Sequence, residues 1–329
     1  MGMMIAISEA DHLVRAALER VGYTPEEAGI IADHVMGCEL RGVSFGGLSR
    51  AISLIERQRL SPRRPTVVTR ETAVSALIDG QDQNGYLVAY QAMALALDKA
   101  DAVGLALVGA FNTWYSGMYA HYLEIAARRG LIAMVMGSSA PRVAPHGSNE
   151  GRFGTNPIGF GFPADGHPII LDLGTSITPI AELVLAQRLG QALPPDQAFD
   201  AQGQETTDPM AALAGAIRVW GGHKGSGLAL VVQMMGILMG GGAMPADYKD
   251  CGFVFLAVKP DLFMDLSEFK SRIEAYANQV RSARPIDPNA PVRMPFDRSV
   301  QVRQKILERG TLDVADTILE TLRQIAQTG

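Results

Sequence analysis

Four short apolar runs in the middle of the chain constrain its fold more than any other feature. They are separated by helical segments or glycine-rich loops, and they are Leu105–Val108, Leu131–Met136, Ile158–Phe162 and Ile169–Leu173. Apolar strands of this length are typical of a sheet that helices cover on both faces. The middle of the chain is therefore predicted to be α/β, with a further buried strand at Phe253–Val258.

The two ends of the chain have helical patterns instead. The first helix is predicted at Ser8–Val21, and Thr24-Pro25-Glu26-Glu27 supplies an N-cap, a proline and a capping-box acid for a second helix that runs to about Leu40. A third helix is predicted at Leu48–Arg59. Near the other end, amphipathic helices are predicted at Ser267–Arg281, Ser299–Glu308 and Asp313–Gln327. We expect these terminal helices to pack together as one lobe.

The remaining elements follow from turn and cap signals. Short strands are predicted at Thr66–Val68 and Val74–Ile78, followed by a turn at Asp79-Gly80, and Asn84 is positioned to cap a helix through Lys99. Two more helices are predicted, at Ile180–Leu189 and Lys224–Met239. The second is apolar on nearly every side and too short to cross a bilayer, so we interpret it as a buried core helix.

Charge and cysteine content narrow the class of partner. The 329 residues carry a formal net charge of −5 and contain no long basic run, which argues against nucleic acid or an anionic membrane and favours a small-molecule substrate. Cys38 and Cys251 lie far apart, and acidic residues follow the short apolar N-terminus where a signal peptide would continue. A cytoplasmic location is expected.

Several common catalytic motifs are missing from the sequence. No strand is followed by Gly-x-Gly-x-x-Gly, Lys224 precedes its glycine rather than following it as in a Walker motif, and no Gly-x-Ser-x-Gly elbow is present. The six histidines include no pair at the three- or four-residue spacing of a helical metal site, so no metal is predicted.

One pair of segments does indicate an anion site. Gly154-Thr155-Asn156-Pro157 forms a small-residue turn, and the run Ile169-Ile170-Leu171 ends in Asp172-Leu173-Gly174-Thr175-Ser176. A turn between a strand and a helix exposes backbone N–H groups that hold phosphate or carboxylate. Taken alone, the first segment is equally consistent with a tight loop.

Together with three other segments, this pair resembles the type 2 malate/L-lactate dehydrogenase superfamily, which includes ureidoglycolate and sulfolactate dehydrogenases and the cyclic imino acid reductases. The other segments are Glu39-Leu40-Arg41-Gly42-Val43, Val143-Ala144-Pro145-His146-Gly147 and Gly222-His223-Lys224-Gly225. Their order and spacing make the resemblance specific, and it covers most of the chain.

The resemblance implies an α/β, non-Rossmann nicotinamide-binding fold with a central mixed sheet and a helical lobe formed from both termini. We expect residues 1–100 and 260–329 to form the helical, substrate-side lobe and residues 101–259 the cofactor-binding lobe. A homodimer using NADPH or NADH is implied. By similarity, the cofactor-binding residues are Thr155, Asn156, Asp172, Thr175, Ser176, Lys224 and Arg293.

The chain departs from the family on the substrate side. After Arg-Gly-Val the family normally has Asp-Ser-His-Gly, whereas this chain has Ser44-Phe45-Gly46-Gly47, and Asn112 occupies the place of a second family histidine. Glu182 matches an aspartate of the imino acid reductases. Oxidation of an alcohol needs a base for the hydroxyl proton, while a protonated imine accepts hydride without one. We therefore expect reduction of a 2-imino acid, including cyclic imines, or of a 2-oxo acid, assisted by Glu182 and Asn112.

The substrate side leaves alternatives open. Arg50 or Lys224 is expected to hold the substrate carboxylate, beside Phe45 and Trp114. The lost acid has four candidate replacements, namely Tyr115, Tyr119, His121 and His146. Blander interpretations remain: Asp172 as a cap of the following helix, Glu182 and Lys224 as surface charges, and Asn112 as a residue satisfying its own turn. A scaffold that has lost hydride transfer and catalyses a non-redox step is the second hypothesis.

Overall fold

A seven-stranded mixed sheet forms the centre of the computed structural model, which describes residues 2–61, 63–114, 116–246 and 250–328. The strands of the described residues are β1 (Gly2–Ala6), β2 (Val67–Glu71), β3 (Ser75–Asn84), β4 (Leu105–Trp114), β5 (Ile132–Gly137), β6 (Val143–Ala144), β7 (Ile158–Phe162), β8 (Ile169–Leu173), β9 (Ala198–Phe199), β10 (Glu205–Thr206), β11 (Ala216–Arg218), β12 (Cys251–Val258) and β13 (Thr311–Ala315). The central sheet has the order β2-β3-β4-β12-β5-β7-β8, in which β3 and β4 are parallel and the other neighbours antiparallel. The predicted α/β class with a mixed sheet is confirmed.

Helices cover both faces of this sheet, as the apolar runs predict. The described helices are α1 (Ile7–Arg20), α2 (Pro25–Glu39), α3 (Leu48–Gln58), α4 (Gly85–Val103), α5 (Tyr119–Arg128), α6 (Ile180–Leu189), α7 (Pro209–Ala214), α8 (His223–Leu238), α9 (Leu266–Arg281), α10 (Asp297–Arg309) and α11 (Asp316–Thr328). Along β12, Phe253 and Phe255 pack with α4 and α5, whereas Val254 packs with Val232 of α8. This alternation follows from the two-residue period of a strand.

The two ends of the chain share one hydrophobic core. Helices α1, α2, α3 and α11 contribute to it together with Ile5 and Leu312, which face each other in the antiparallel pair of β1 and β13. The capping box at Thr24 is present, since Thr24 N donates to Glu27 Oε2 at 2.8 Å and Glu27 N donates to Thr24 Oγ1 at 3.3 Å. A helical lobe built from both termini is therefore correct, although the strand pair inside it was not predicted.

The lobe boundaries at residues 100 and 260 stay a prediction. Strands β2 and β3, on the N-terminal side of residue 100, hydrogen-bond into the central sheet through β4. A second, four-stranded sheet in the order β10-β9-β11-β6 packs near α6 and α7 and has its own apolar core, which includes Phe153 and Leu183.

The predicted turn at Asp79-Gly80 is wrong, because β3 continues to Asn84. Pairing with β4 is interrupted between Asp79 and Gln83, where Gln81 and Asp82 adopt left-handed φ values of 52° and 57°. Asp79 Oδ1 accepts from Gln81 N at 2.9 Å and so satisfies the bulged backbone. Asn84 then caps α4 as predicted, accepting from Tyr86 N at 2.9 Å.

Helix α8 is not the buried core helix that its sequence suggests. Its inner face, including Ala229 and Val232, is buried, but its other face exposes a row of large apolar side chains. That row consists of Leu230, Val231, Met234, Ile237 and Leu238, which are 42 to 64% exposed. A helix that is apolar on all sides indicates burial without saying what covers it, and the described part of this chain covers one face. Among the described residues, no helix is both long and apolar enough to cross a membrane.

Candidate active site

A cavity of about 1200 Å³ opens between the helical lobe and the end of the central sheet. We call it the main cavity. Its walls come from α3, from the segment between β4 and α5, from the loops at Ser139 and Thr155, and from the start of α6. Elements from both ends and the middle of the chain therefore meet around it.

The two segments predicted to bind the cofactor lie together on one wall. Thr155, Asp172 and Ser176 line the main cavity, and Thr155 O accepts from Thr175 N at 2.8 Å. Thr175 itself is fully buried and donates its hydroxyl to the same carbonyl at 3.0 Å. The two turns are thus hydrogen-bonded into a single surface.

Asn156 supports this wall from behind rather than lining it. Its amide is buried and fully engaged: Oδ1 accepts from Ser139 N at 3.0 Å, and Nδ2 donates to Ala229 O at 2.8 Å and to Gln233 Oε1 at 3.0 Å. Its backbone has a positive φ of 34°, a region that asparagine tolerates better than most residues. Asn156 therefore ties the Thr155 turn to α8.

Asp172 is a part-buried carboxylate that lines the main cavity and caps a helix. Its Oδ2 accepts from Ala120 N at 2.7 Å, and Tyr119 N also donates to it, so it caps α5 rather than the helix that follows it in sequence. Burial raises the pKa of Asp172 to about 6, against the effect of these two backbone donors. The positive end of the α5 dipole favours its ionised form.

Arginines are the most frequent charged residues in the lining of the main cavity. Arg50, Ser53 and Arg57 lie on one face of α3 at the i, i+3, i+7 spacing and line the main cavity. Five arginines, including Arg41, Arg188 and Arg298, line it against two carboxylates, Glu56 and Asp172. This excess of positive charge suits an anionic ligand.

Two of these arginines are held in place by neighbours. Arg188 Nη2 pairs with Glu56 Oε2 at 2.7 Å. Arg57 Nη2 pairs with Asp82 Oδ1 at 3.2 Å, and its guanidinium lies 5.8 Å from the ring centre of Trp114. Trp114 Nε1 in turn donates to Asp82 O at 2.9 Å. The bulge of β3 therefore positions both Arg57 and Trp114.

Phe45 and Gly46 line the main cavity where the family has its Ser-His pair. Gly46 is buried, and a Cβ there would lie 3.1 Å from Cys38 Sγ, so a larger residue would have to displace that thiol. Gly47 is required because a Cβ would overlap the carboxylate of Glu39. This wall offers no group for proton transfer.

Besides Asn156 and Thr175, four further predicted site residues do not line the main cavity. Glu182 is exposed on α6, whose cavity-lining residues are Ile180, Ala181, Val184 and Arg188. Lys224 is exposed at the start of α8, and Arg293 is exposed before α10. Asn112 has a φ of 52° and donates to Asp79 Oδ1 at 2.8 Å, as in the interpretation that it satisfies its own turn. Their functional roles stay predictions.

Of the candidate replacements for the lost acid, Tyr119 lines the main cavity. It is buried, and its hydroxyl lies 3.4 Å from Ser116 Oγ. His121 lies in a different cavity, His146 lies near His223 with ring centres 6.3 Å apart, and Tyr115 lies outside the described residues. The described residues contain no group of three or more side chains placed to hold a metal ion.

Sequence reasoning missed Arg57 and Arg188, which reach the main cavity from α3 and α6. The i, i+3, i+7 spacing from Arg50 could have indicated Arg57, since it places both arginines on one helix face. No local signal could have indicated Arg188, because its place depends on how α6 packs beside α3.

The mixed sheet between helices is consistent with a non-Rossmann dehydrogenase fold, and the sequence profile of the malate/L-lactate dehydrogenase family matches residues 5–323. The chain belongs to that family, as predicted, and is an NAD(P)-dependent oxidoreductase.

Individual relatives match over almost the whole chain. The L-sulfolactate dehydrogenase of Methanothermobacter thermautotrophicus is 30% identical, covering 99% of this chain and 97% of the relative. A dehydrogenase from Sinorhizobium meliloti has a TM-score of 0.92 at 31% identity, covering 99% of this chain and 98% of that one. The delta1-piperideine-2-carboxylate reductase of Pseudomonas syringae pvar. tomato has a TM-score of 0.83 at 26% identity, covering 98% and 99%.

Proposed function

We propose that the protein reduces the C=N bond of a 2-imino acid, a cyclic imine in particular, with NADPH or NADH. The observation that carries this proposal is that Phe45 and Gly46, whose side chains offer no proton donor, line the same cavity as the part-buried carboxylate of Asp172. A protonated imine brings its own proton, so hydride addition at carbon leaves a neutral amine and no oxyanion to stabilise. The similarity to a piperideine-carboxylate reductase supports the same substrate class.

The residues of the main cavity fit a nicotinamide dinucleotide. Thr155 and Ser176 offer hydroxyls on one wall, Ile177, Ile180 and Val184 offer apolar surface, and the arginines offer charge for phosphates. When bound, the cofactor supplies the hydride. The choice between the two cofactors stays open, because this fold has no strand-end acid of the Rossmann type.

The chain's own residues then position the substrate. Arg50 and Arg57 bind its carboxylate, since a guanidinium fork matches a carboxylate in geometry and charge. The ionised Asp172 lines the same cavity, and its negative charge stabilises the positive charge of the iminium group. Reduction of a 2-oxo acid would need a proton for the new hydroxyl, and Tyr119 is the cavity-lining group that could donate it.

Cofactor titration followed by substrate turnover tests the proposal. We expect quenching of protein fluorescence by NADH or NADPH, and cofactor oxidation with piperideine- and pyrroline-2-carboxylates faster than with 2-oxo acids. Cofactor binding without turnover of these compounds would reject the substrate class. If neither cofactor binds, the result would support the non-redox alternative. The open cavity beside Thr155, Asp172 and Ser176 argues against that alternative, because it leaves room for a cofactor.

Two carboxylate variants distinguish Asp172 from the sequence-predicted Glu182. Asp172→Asn keeps an oxygen to accept from Ala120 N but removes the charge, so kcat/KM should fall by about 100-fold or more. Glu182→Gln should change it little, because Glu182 is exposed outside the cavity. Because the pKa of Asp172 is near 6, wild-type activity should also decline as the pH falls through 6. The opposite ranking of the two variants would restore Glu182 to the role first predicted.

We further propose a cytoplasmic homodimer in which two copies pair through the exposed row on α8. The row of five large apolar side chains is unusual for a surface helix, and a content of only two cysteines, Cys38 and Cys251, fits a reducing compartment. Met234→Glu, at 59% exposure, should give a monomer in sedimentation analysis at concentrations where the wild type is dimeric. Phe263→Glu, at 86% exposure on another surface, is the matched control. A Met234→Glu protein that stays dimeric would place the interface elsewhere.

A further inference from the structure

A second cavity, of about 820 Å³, lies between α1, α2, α5 and α10, and of the candidate site residues only His121 lines it among the described residues. We call it the side cavity. Arg41, Glu124, Arg128 and Arg303 line one end of it, and Asp11 and Asp33 line another part. The proposed reaction does not involve the side cavity.

The basic end carries more positive charge than its own carboxylate can neutralise. Glu124 Oε2 pairs with Arg41, while Glu124 Oε1 accepts from Arg128 Nη2 at 2.7 Å and lies 3.6 Å from Arg303 Nη1. Three guanidinium groups thus share one carboxylate, which leaves a local charge of about +2. Although burial alone would raise the pKa of Glu124, these arginines hold it below its usual value.

Hydrogen-bonding capacity also remains at this end. Arg41 is 6% exposed, and its Nε, like that of Arg303, has no hydrogen-bond partner among the described residues. Both Nε atoms are sealed from the cavity, so an oxyanion there would instead meet the guanidinium ends of Arg128 and Arg303, whose side chains are 60% and 39% exposed. Asp11 and Asp33 both pair with Arg15, at 2.8 and 2.5 Å, so one negative charge remains in their part of the cavity, away from the cluster around Glu124.

We propose that the side cavity binds a small phosphate-like dianion, with its charge on Arg41, Arg128 and Arg303. Planar guanidinium groups favour such oxyanions, and two negative charges match the local excess. Free phosphate and a phosphate monoester share this chemistry, and in the monoester the hydroxyl or amine groups face Asp11 and Asp33.

Arg41 connects this site to the main cavity. It lines both cavities, and its guanidinium lies 5.4 Å from the ring centre of Phe296, which lines the main cavity. An anion that binds Arg41 in the side cavity would therefore shift a residue that also lines the main cavity. Any such coupling is reciprocal, so bound cofactor must change the affinity for the anion by the same factor.

Calorimetric titration with inorganic phosphate, at constant ionic strength set by chloride, tests the proposal. We expect saturable binding that weakens about tenfold in Arg303→Gln, since loss of one guanidinium contact is worth about 1.4 kcal/mol. Lys305→Gln removes the same charge from α10 outside the cavity and should leave the affinity unchanged. A small phosphate monoester in place of phosphate distinguishes the two ligand sources by its tighter binding.

Three results would overturn the inference. One is no saturable binding below about 10 mM, where binding is worth less than roughly 3 kcal/mol. Another is equal weakening in Arg303→Gln and Lys305→Gln. The third is binding that Arg57→Gln abolishes and Arg303→Gln does not, which would place the anion in the main cavity. None of these depends on whether the protein reduces an imine.

Discussion

Glu39 is a buried carboxylate at the end of α2 that fixes the wall carrying Phe45. Its Oε1 accepts from Leu48 N at 2.7 Å at the start of α3, and the Ser44 hydroxyl also donates to it. Burial raises the pKa of Glu39 from 4.5 to about 7, although both donors favour its ionised form. The carboxyl therefore holds its proton more tightly in the folded protein than in the unfolded chain.

The linkage gives Glu39→Gln a definite pH dependence. In the wild type, the folded state binds more protons than the unfolded state between pH 4.5 and about 7, so the free energy of unfolding falls as pH rises through that window. Glutamine does not titrate, so the variant does not lose stability in this way. Relative to wild type, the free energy of unfolding of the variant should therefore rise by at most about 3 kcal/mol between pH 4 and pH 8.

Urea denaturation of both proteins at the two pH values measures this gain. The exposed Glu320→Gln variant controls for removal of charge alone. A stability difference between Glu39→Gln and wild type that stays constant with pH would contradict the interpretation.

At the scale of elements, the bulge in β3 positions side chains that line the main cavity. Asp79 Oδ1 accepts from Gln81 N at 2.9 Å and from Asn112 Nδ2 at 2.8 Å, and thereby satisfies two left-handed segments on neighbouring strands. A left-handed backbone conformation of this kind raises the free energy of the folded state by about 1–3 kcal/mol per residue, and it persists only where surrounding contacts stabilise it. Asp82 in the same bulge then contacts Arg57 and Trp114.

Asp79→Ala should lower the free energy of unfolding by about 1–3 kcal/mol, because it leaves part-buried donors without acceptors. Loosening of the bulge should also change the fluorescence of Trp114, read in a Trp220→Phe background. Asp101→Ala, which removes an exposed partner of Arg129, is the control. Unchanged Trp114 emission together with unchanged stability would mean that the bulge holds its shape without Asp79.

At the scale of the whole molecule, the strand pair β1–β13 joins the two ends of the chain in one core. Leu312→Ala should cost about 2–5 kcal/mol, since Leu312 is 2% exposed and packs with the N-terminal helices. Leu307→Ala, at 49% exposure on α10, should cost far less. Urea unfolding followed by circular dichroism compares the two, and similar losses would show that the shared core is less tightly packed than described.

The sequence predicted those parts of the fold whose signals are local. Strands β7 and β8 and helix α6 have the predicted bounds because turn residues flank each of them. The pairing of β1 with β13 depends on residues about 300 positions apart, which no local pattern contains. The exposure of α8 depends on which other elements pack against it, and the sequence of the helix alone does not contain that information.

The site residues likewise include some that the sequence predicted and some that only the packing of the chain reveals. The family resemblance predicted that Thr155, Asp172 and Ser176 lie around the cofactor, and the three residues line one cavity. Glu182 was placed correctly along α6, but sequence alone did not say which face of the helix turns inward. Arg57 and Arg188 come from α3 and α6, which are far apart in sequence, so their proximity emerges from packing alone.

The joining of the two chain ends also has a consequence for biosynthesis. Because β1 pairs with β13, the first strand has no partner until residues 311–315 have left the ribosome. The sheet in the middle of the chain can fold earlier, whereas the core around Ile5 must wait. During translation, α1 to α3 would expose apolar faces for most of the elongation time, and this interval is when chaperones would be needed.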